Sequence, residues 1–286
     1  MEIKKLGVVG AGTMGNGIAL MAAQIGCDVV MRDIEDSFVE RGIQNIDKFL
    51  TKSVEKGKIK ADEKIAIVGR IKGTTEMSDL KDVDFVIEAV IEDLDLKKKV
   101  FKELDELCRP EIVIASNTSS MSITEIAAAT KRPDKICGMH FFNPAPIMRL
   151  VEIIRGYATS DESVAVATDL AKKMGKVTVE VKKDSAGFIV NRIMTPHFIE
   201  AIKIVEEGIA SVEDVDIAVK NGLNYPMGPF ELMDLTGIDI AYFVTEYLYQ
   251  ELNKESKWVS PNLLKTMIRA GKLGRKTGGG WYDFDK

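Results

Sequence analysis

The stretch Lys5-Leu6-Gly7-Val8-Val9-Gly10-Ala11-Gly12-Thr13-Met14-Gly15 decides the architecture of this chain. Leu6–Val9 reads as a strand buried on both faces, and a helical segment follows the last glycine. Glycines spaced G-x-G-x-x-G are weak evidence alone. Placed between a strand and a helix they become specific for a dinucleotide. The first glycine permits a tight turn, and the second lets the backbone approach a pyrophosphate. The third allows the helix to pack closely on the strand, with its N-terminus aimed at the phosphates. Gly10, Gly12, Thr13, Met14 and Gly15 are therefore candidate cofactor contacts. Asp33 follows the second apolar run, at the expected distance for an acid that grips the adenosine ribose hydroxyls. A carboxylate there repels a 2′-phosphate and favours NAD. Arg32 beside it leaves NADP open, since a guanidinium can accept that phosphate.

Outward from this loop the pattern alternates. Strands are expected at Lys4–Gly10, Asp28–Arg32, Ala66–Gly73, Asp84–Ala89, Ile112–Ser116, Lys135–His140, Leu150–Ile154 and Val177–Lys182. Several are continuous apolar runs, the mark of strands covered by helices on both sides. Strand and helix in alternation predict an α/β, doubly wound, mainly parallel sheet. Residues 36–63 interrupt it as a helix pair rich in lysine, which on its own reads as a solvated face. After Asp184 the β signal stops. Segments 185–208, 211–221, 237–253 and 261–270 look helical, and Ser211-x-x-Asp214 resembles a capped start. The expected division is a first domain of residues 1–186 and an all-α domain of residues 187–286.

Composition narrows the function classes. At 286 residues the chain exceeds one average domain. Its 45% apolar and 29% charged content is that of a globular protein with a proper core. A net charge of −5, from 39 basic and 44 acidic side chains, argues against nucleic acid as a partner. No apolar run reaches membrane-spanning length, and the chain enters a strand at once without a signal peptide, so a cytoplasmic protein is expected. Cys27, Cys108 and Cys137 are scattered among apolar residues and form no metal or redox spacing. They read as inert buried thiols in a reducing compartment.

Gly138–Glu152, GMHFFNPAPIMRLVE, carries the candidate chemistry. Glu152 sits between Val151 and Ile153 in an apolar strand, where an unpaired charge is costly. His140, one of only two histidines, is its nearest basic partner. A paired imidazole is oriented and fixed in one tautomer, which suits acid/base work; a satisfied core histidine is the plain alternative. A hydride-carrying cofactor tips the balance towards the first reading. Asn117-Thr118-Ser119-Ser120 follows a strand at the edge where ligands bind in such sheets. Helix capping is already supplied by Ser122-x-x-Glu125, which leaves Ser119 and Ser120 for another role. Asn191 and His197 read on their own as helix residues of the second domain.

Taken together, GAGTMGNGIA, IEAVIEDLDLK, ASNTSSMSI, GMHFFNPAPIMRLVEII, GFIVNR and NYPMGPFELMDLTG resemble the L-3-hydroxyacyl-CoA dehydrogenases over essentially the whole chain. The resemblance is closest to the short bacterial members that act on 3-hydroxybutyryl-CoA and acetoacetyl-CoA. It implies a Rossmann-like domain followed by a helical domain that forms a homodimer, with the active site in the interdomain cleft. His140 then resembles the catalytic base and Glu152 its partner. Ser119 resembles the contact to the substrate's 3-oxygen, and Asn191 the residue holding the thioester end. Glu92, Lys97, Asn117, Asn143 and Lys276 are implied to lie near the cofactor. The lysine-rich insertion is implied to close over coenzyme A, with Lys52 and Lys56 as contacts for its phosphates. Ala186 stands where the family often has proline before Gly187, a change expected to alter only hinge stiffness. Two other readings share the sheet-plus-helices plan. A 3-hydroxyacid dehydrogenase of the 6-phosphogluconate type uses a lysine base, which His140 and Glu152 disfavour. A non-catalytic NAD-binding protein has no need of Ser119, His140, Glu152 and Asn191 together.

Overall fold

A computed structural model describes residues 2–284. The chain divides into two compact units, Met1–Ser185 and Ala186–Lys286. The first holds strands β1 (Lys5–Val9), β2 (Asp28–Arg32), β3 (Ile71–Thr74), β4 (Phe85–Glu88), β5 (Val113–Ser116), β6 (Ile136–Phe141), β7 (Leu150–Arg155) and β8 (Val177–Val181). Its helices are α1 (Thr13–Gln24), α2 (Asp36–Glu55), α3 (Ala61–Gly69), α4 (Leu94–Leu107), α5 (Ile123–Ala127) and α6 (Asp161–Lys173). The strands form one sheet in the order β3-β2-β1-β4-β5-β6-β7-β8. Strands β1 to β6 are mutually parallel, β7 runs antiparallel to β6, and β8 is parallel to β7. The doubly wound sheet expected from the alternation is therefore present. The chain order reverses between β1 and β4, and β1 and β4 to β6 are almost wholly buried. That burial explains their continuous apolar sequences.

One expected strand is corrected. Ala66–Gly69 belongs to α3, and β3 starts only at Ile71. Ala61, Glu63 and Lys64 are strong helix formers, and Asp62 and Glu63 sit favourably in the first turn. The helix so started runs through the apolar residues before Arg70 ends it. Helix α2 buries Val39, Gly42, Ile46 and Leu50, spaced at helical intervals, and leaves Lys52 exposed.

The second unit is helical: α7 (Val190–Glu206), α8 (Val212–Gly222), α9 (Pro229–Thr236), α10 (Ile238–Glu251) and α11 (Asn262–Arg269). Its core joins Phe198, Ile202, Val215, Phe230, Met233, Ile238 and Leu264. Helix α9 lies outside the four segments that periodicity marks. Pro229 takes the first helical position, where its missing N–H is harmless, and the Glu231 carboxylate accepts from Gly228 N at 3.1 Å. Two buried carboxylates close this unit. Asp216 accepts from Phe230 N, Glu231 N and Tyr282 Oη, and Asp234 from Trp281 N and Tyr282 N.

Cys27, Cys108 and Cys137 are all buried and unbridged. Burial pushes the Cys108 thiol up to about 11 and Cys137 to about 12, so little thiolate forms near neutrality. We expect the native protein to resist a disulfide-exchange reagent at pH 8 and to titrate all three thiols once unfolded. Rapid labelling of the native chain at Cys137 would contradict this packing.

Candidate active site

The carboxyl ends of β1, β2, β4, β5 and β6 carry the candidate residues to one edge of the sheet. At the end of β1, Gly10 has φ +104°, and a Cβ there would lie 2.4 Å from Ala89 O. A Cβ on Gly15 would lie 1.7 Å from Gly10 O, so α1 seats on the loop backbone with no side chain between. Gly12 differs: a Cβ there would meet nothing within 4 Å. It precedes the first turn of α1, which contains no acidic residue. An open, bare backbone at a positive helix end is what a pyrophosphate requires. Asp33, following β2, accepts from Ala11 N at 2.6 Å and Ile34 N at 2.7 Å, which fixes its carboxylate against the same loop. Arg32 turns aside, its Nε donating to Thr75 O at 3.1 Å. These residues fit NAD better than NADP.

The histidine and glutamate meet. His140 and Glu152 are directly opposed across the β6–β7 ladder, and Nδ1 lies 2.7 Å from Glu152 Oε2. Opposed residues of an antiparallel pair share one face. Their side chains are 7% and 0% exposed, so the pair lies in a weakly screening environment. An ionised carboxylate only accepts, which assigns the Nδ1 proton and leaves Nε2 as the other reactive nitrogen. Phe142 packs on the imidazole at 4.3 Å between centroids.

The surrounding loops are tied to this pair. Asn117 Oδ1 accepts from Phe141 N at 2.9 Å, which fixes the backbone beside His140. Lys176 donates from Nζ to Met148 O at 2.7 Å and also to Ala145 O, clamping the turn between β6 and β7. Burial holds its ammonium below the usual lysine range. Ser119 donates from Oγ to Glu92 Oε1 at 3.0 Å and from N to the same oxygen at 2.6 Å. The expected capping box is only half formed. Ser122 Oγ accepts from Glu125 N, but the Glu125 carboxylate pairs with Lys98, and Ser122 Oγ donates to Asp184.

Other candidates lie elsewhere. Asn143 is exposed in the turn after β6. Lys52 and Lys56 are exposed at the C-terminal end of α2. Asn191 and Lys276 belong to the second unit; Asn191 is 7% exposed in the first turn of α7, and Lys276 Nζ donates to both Asp239 carboxylate oxygens. Sequence reading missed Glu88, a fully buried carboxylate that ends β4. Its signal was available: an acid in an apolar strand needs a partner, just as Glu152 does. Among the described residues no cluster of histidine, cysteine and acidic side chains could hold a metal.

The sequence model of the 3-hydroxyacyl-CoA dehydrogenase NAD binding domain matches residues 5–185, and that of the C-terminal domain matches residues 187–284. The chain belongs to the 3-hydroxyacyl-CoA dehydrogenase family. It is 47% identical over 282 residues to a 3-hydroxybutyryl-CoA dehydrogenase of Clostridioides difficile, covering 99% of this chain and 100% of the relative. The crystal structure of (S)-3-hydroxybutyryl-CoA dehydrogenase from Ralstonia eutropha matches with a TM-score of 0.96 at 46% identity, covering 100% of both chains. A 3-hydroxyadipyl-CoA dehydrogenase of Escherichia coli is 39% identical across 99% of this chain and 60% of its own length. This dehydrogenase is accordingly an NAD-dependent oxidoreductase with the two-domain plan of its family.

The second and third glycines of the loop separate cofactor binding from folding. Gly12 has φ −62°, which alanine adopts readily. Gly12→Ala is expected to leave the thermal midpoint without cofactor unchanged and to abolish its rise on adding NADH. Gly15→Ala is expected to destabilise the cofactor-free protein by about 2 kcal/mol or more, because its methyl meets backbone. Equal midpoints for the two variants would refute the division.

Proposed function

We propose that this dehydrogenase interconverts acetoacetyl-CoA and 3-hydroxybutyryl-CoA, with His140 as the acid/base. The observation that carries the reading is the buried His140–Glu152 contact at 2.7 Å, at the strand edge that also holds the dinucleotide loop. NAD, when bound, supplies the hydride acceptor or donor for C3 of the substrate. In the oxidation direction, neutral His140 removes the proton of the 3-hydroxyl through Nε2. In reduction the imidazolium returns it to the oxygen. Glu152 stabilises the charged ring and keeps Nε2 pointed outward. Ser119 contacts the 3-oxygen through its hydroxyl oxygen, and Asn191 holds the thioester end. Asp33 receives the adenosine ribose, and Gly10, Gly12, Thr13, Met14 and Gly15 receive the pyrophosphate. Glu92, Asn117, Asn143 and Lys276 complete the cofactor surroundings. Exposed Lys52 and Lys56 suit the phosphates of coenzyme A, since neither ammonium is in an ion pair among the described residues. The relatives named for the four-carbon substrate support the short acyl chain.

The assembly proposed is a homodimer through the helical unit. Ile193 is 68% exposed there, and Ile209, Ile217, Leu235 and Ile240 are exposed as well. Large apolar side chains grouped on one small unit favour a covered surface. No helix among the described residues is long and apolar enough to cross a membrane. Three buried, unbridged thiols are at home in a reducing cytoplasm.

Acetoacetyl-CoA should drive oxidation of NADH, and NADPH more slowly, because Asp33 faces the 2′ position. His140→Gln is expected to retain NADH binding while losing about two to four decades of turnover. A variant with near-native turnover would remove His140 from proton transfer. Glu152→Gln keeps the shape and removes the charge, so it should lower kcat with little change in KM. A rise in KM alone would instead assign Glu152 to substrate binding.

A further inference from the structure

Glu88 and Lys97 form a buried ion pair that the proton-transfer scheme does not use. Glu88 is 0% exposed and Lys97 1% exposed, and Lys97 Nζ lies 2.7 Å from Glu88 Oε1. Glu88 accepts two further bonds: Val90 N donates to Oε1 at 2.7 Å, and Ser116 Oγ to Oε2 at 2.6 Å. The same ammonium lies 3.3 Å from Glu92 Oε2 and 3.5 Å from Val90 O. Lys97 thus donates hydrogen bonds to Glu88 and Val90 of its own chain, while Glu92 Oε2 lies within ion-pair distance without a hydrogen bond. It faces inward as a shared counter-charge, whereas a phosphate contact needs a donor directed at the ligand. Glu92 completes the connection, because its Oε1 receives Ser119 N, Ser119 Oγ and Thr118 Oγ1.

We infer that Glu88 is a positioning residue for Ser119, acting through Lys97 and Glu92. One cation balances two carboxylates. While Glu88 holds Lys97 at the base of the loop, Glu92 is drawn only weakly to the ammonium and stays on Ser119. When Glu88 loses its charge, Glu92 becomes the only anion beside Lys97, moves towards it, and releases the serine. The inference rests on Ser119 meeting the substrate oxygen, as proposed above. Lys97, expected near the cofactor, also has this internal task.

A double-mutant cycle tests this, with kcat/KM for acetoacetyl-CoA as the readout. Glu88→Gln keeps an acceptor for Lys97 and Val90 N and turns an amide towards the Ser116 hydroxyl. It should lower kcat/KM about tenfold, the scale of one charge-assisted hydrogen bond. Ser119→Ala should cost at least as much. In the Ser119→Ala background, Glu88→Gln should change the rate by no more than about twofold, roughly the scatter within which such cycles separate coupling from additivity. Full additivity of the two losses would overturn the inference, because a merely structural Glu88 weakens either background equally. Undiminished kcat/KM in Ser119→Ala alone would instead remove the role given to Ser119, and the inference with it. Should Glu88→Gln not fold, Glu88→Leu with Lys97→Met leaves no lone buried charge and no ammonium to draw Glu92 off Ser119, so near-native kcat/KM is expected. A tenfold loss of kcat/KM in that folded pair would likewise overturn the proposal.

Discussion

Burial of the central sheet on both faces is the constraint on which this molecule depends. Strands β1 and β4 to β6 have helices on either side, and their interiors admit almost no polar group. Chemistry can leave such a sheet only at its ends or across an edge pairing. The dinucleotide loop, Asp33, Glu92, Asn117 and Ser119 all follow the carboxyl ends of strands. The polar groups that do lie inside are matched closely: Glu88 with Lys97 and Ser116, and Glu152 with His140. A low-dielectric interior strengthens each of these pairs and makes each costly to break singly. The same environment that forms the core therefore sets the orientation of the reactive groups.

Legibility from sequence followed the range of the interactions. The glycine loop was readable because strand, turn and helix lie within a few consecutive residues. Strand β2 and the capped start of α8 were readable for the same reason. The His140–Glu152 contact was readable as a need of Glu152 for a partner, but the antiparallel register that brings them together was not. Helix α3 was misread in part, since Ile65, Ala66, Ile67 and Val68 suit a strand until the helix begun at Ala61 captures them. Helix α9 escaped because Gly228 and Pro229 resemble a turn, although proline at a first helical position also starts helices. The Glu88–Lys97 pair joins the end of a strand to a helix across an irregular loop, and no periodicity marks such a pair.

Cofactor preference has a physical source that the residue types alone left open. Arg32 and Asp33 are neighbours, and either can dominate a ribose site. The backbone decides between them. Asp33 is held by the Ala11 amide of the loop and by the amide of its neighbour Ile34, whereas the Arg32 guanidinium is drawn to Thr75 O. An anion fixed in place meets a 2′-phosphate with repulsion, and a cation turned aside cannot offset it.

The hairpin joining β6 and β7 has an evolutionary consequence. The register of His140 against Glu152 is maintained by strands that already pair with β5 on one side and β8 on the other. Insertions or deletions within residues 145–149, beyond Phe142 and Asn143, would renumber Glu152 yet leave it opposite His140. A lineage can thus lengthen, shorten or recompose that turn while the proton-handling pair stays in place. Diversification and chemistry are assigned to separate parts of one hairpin.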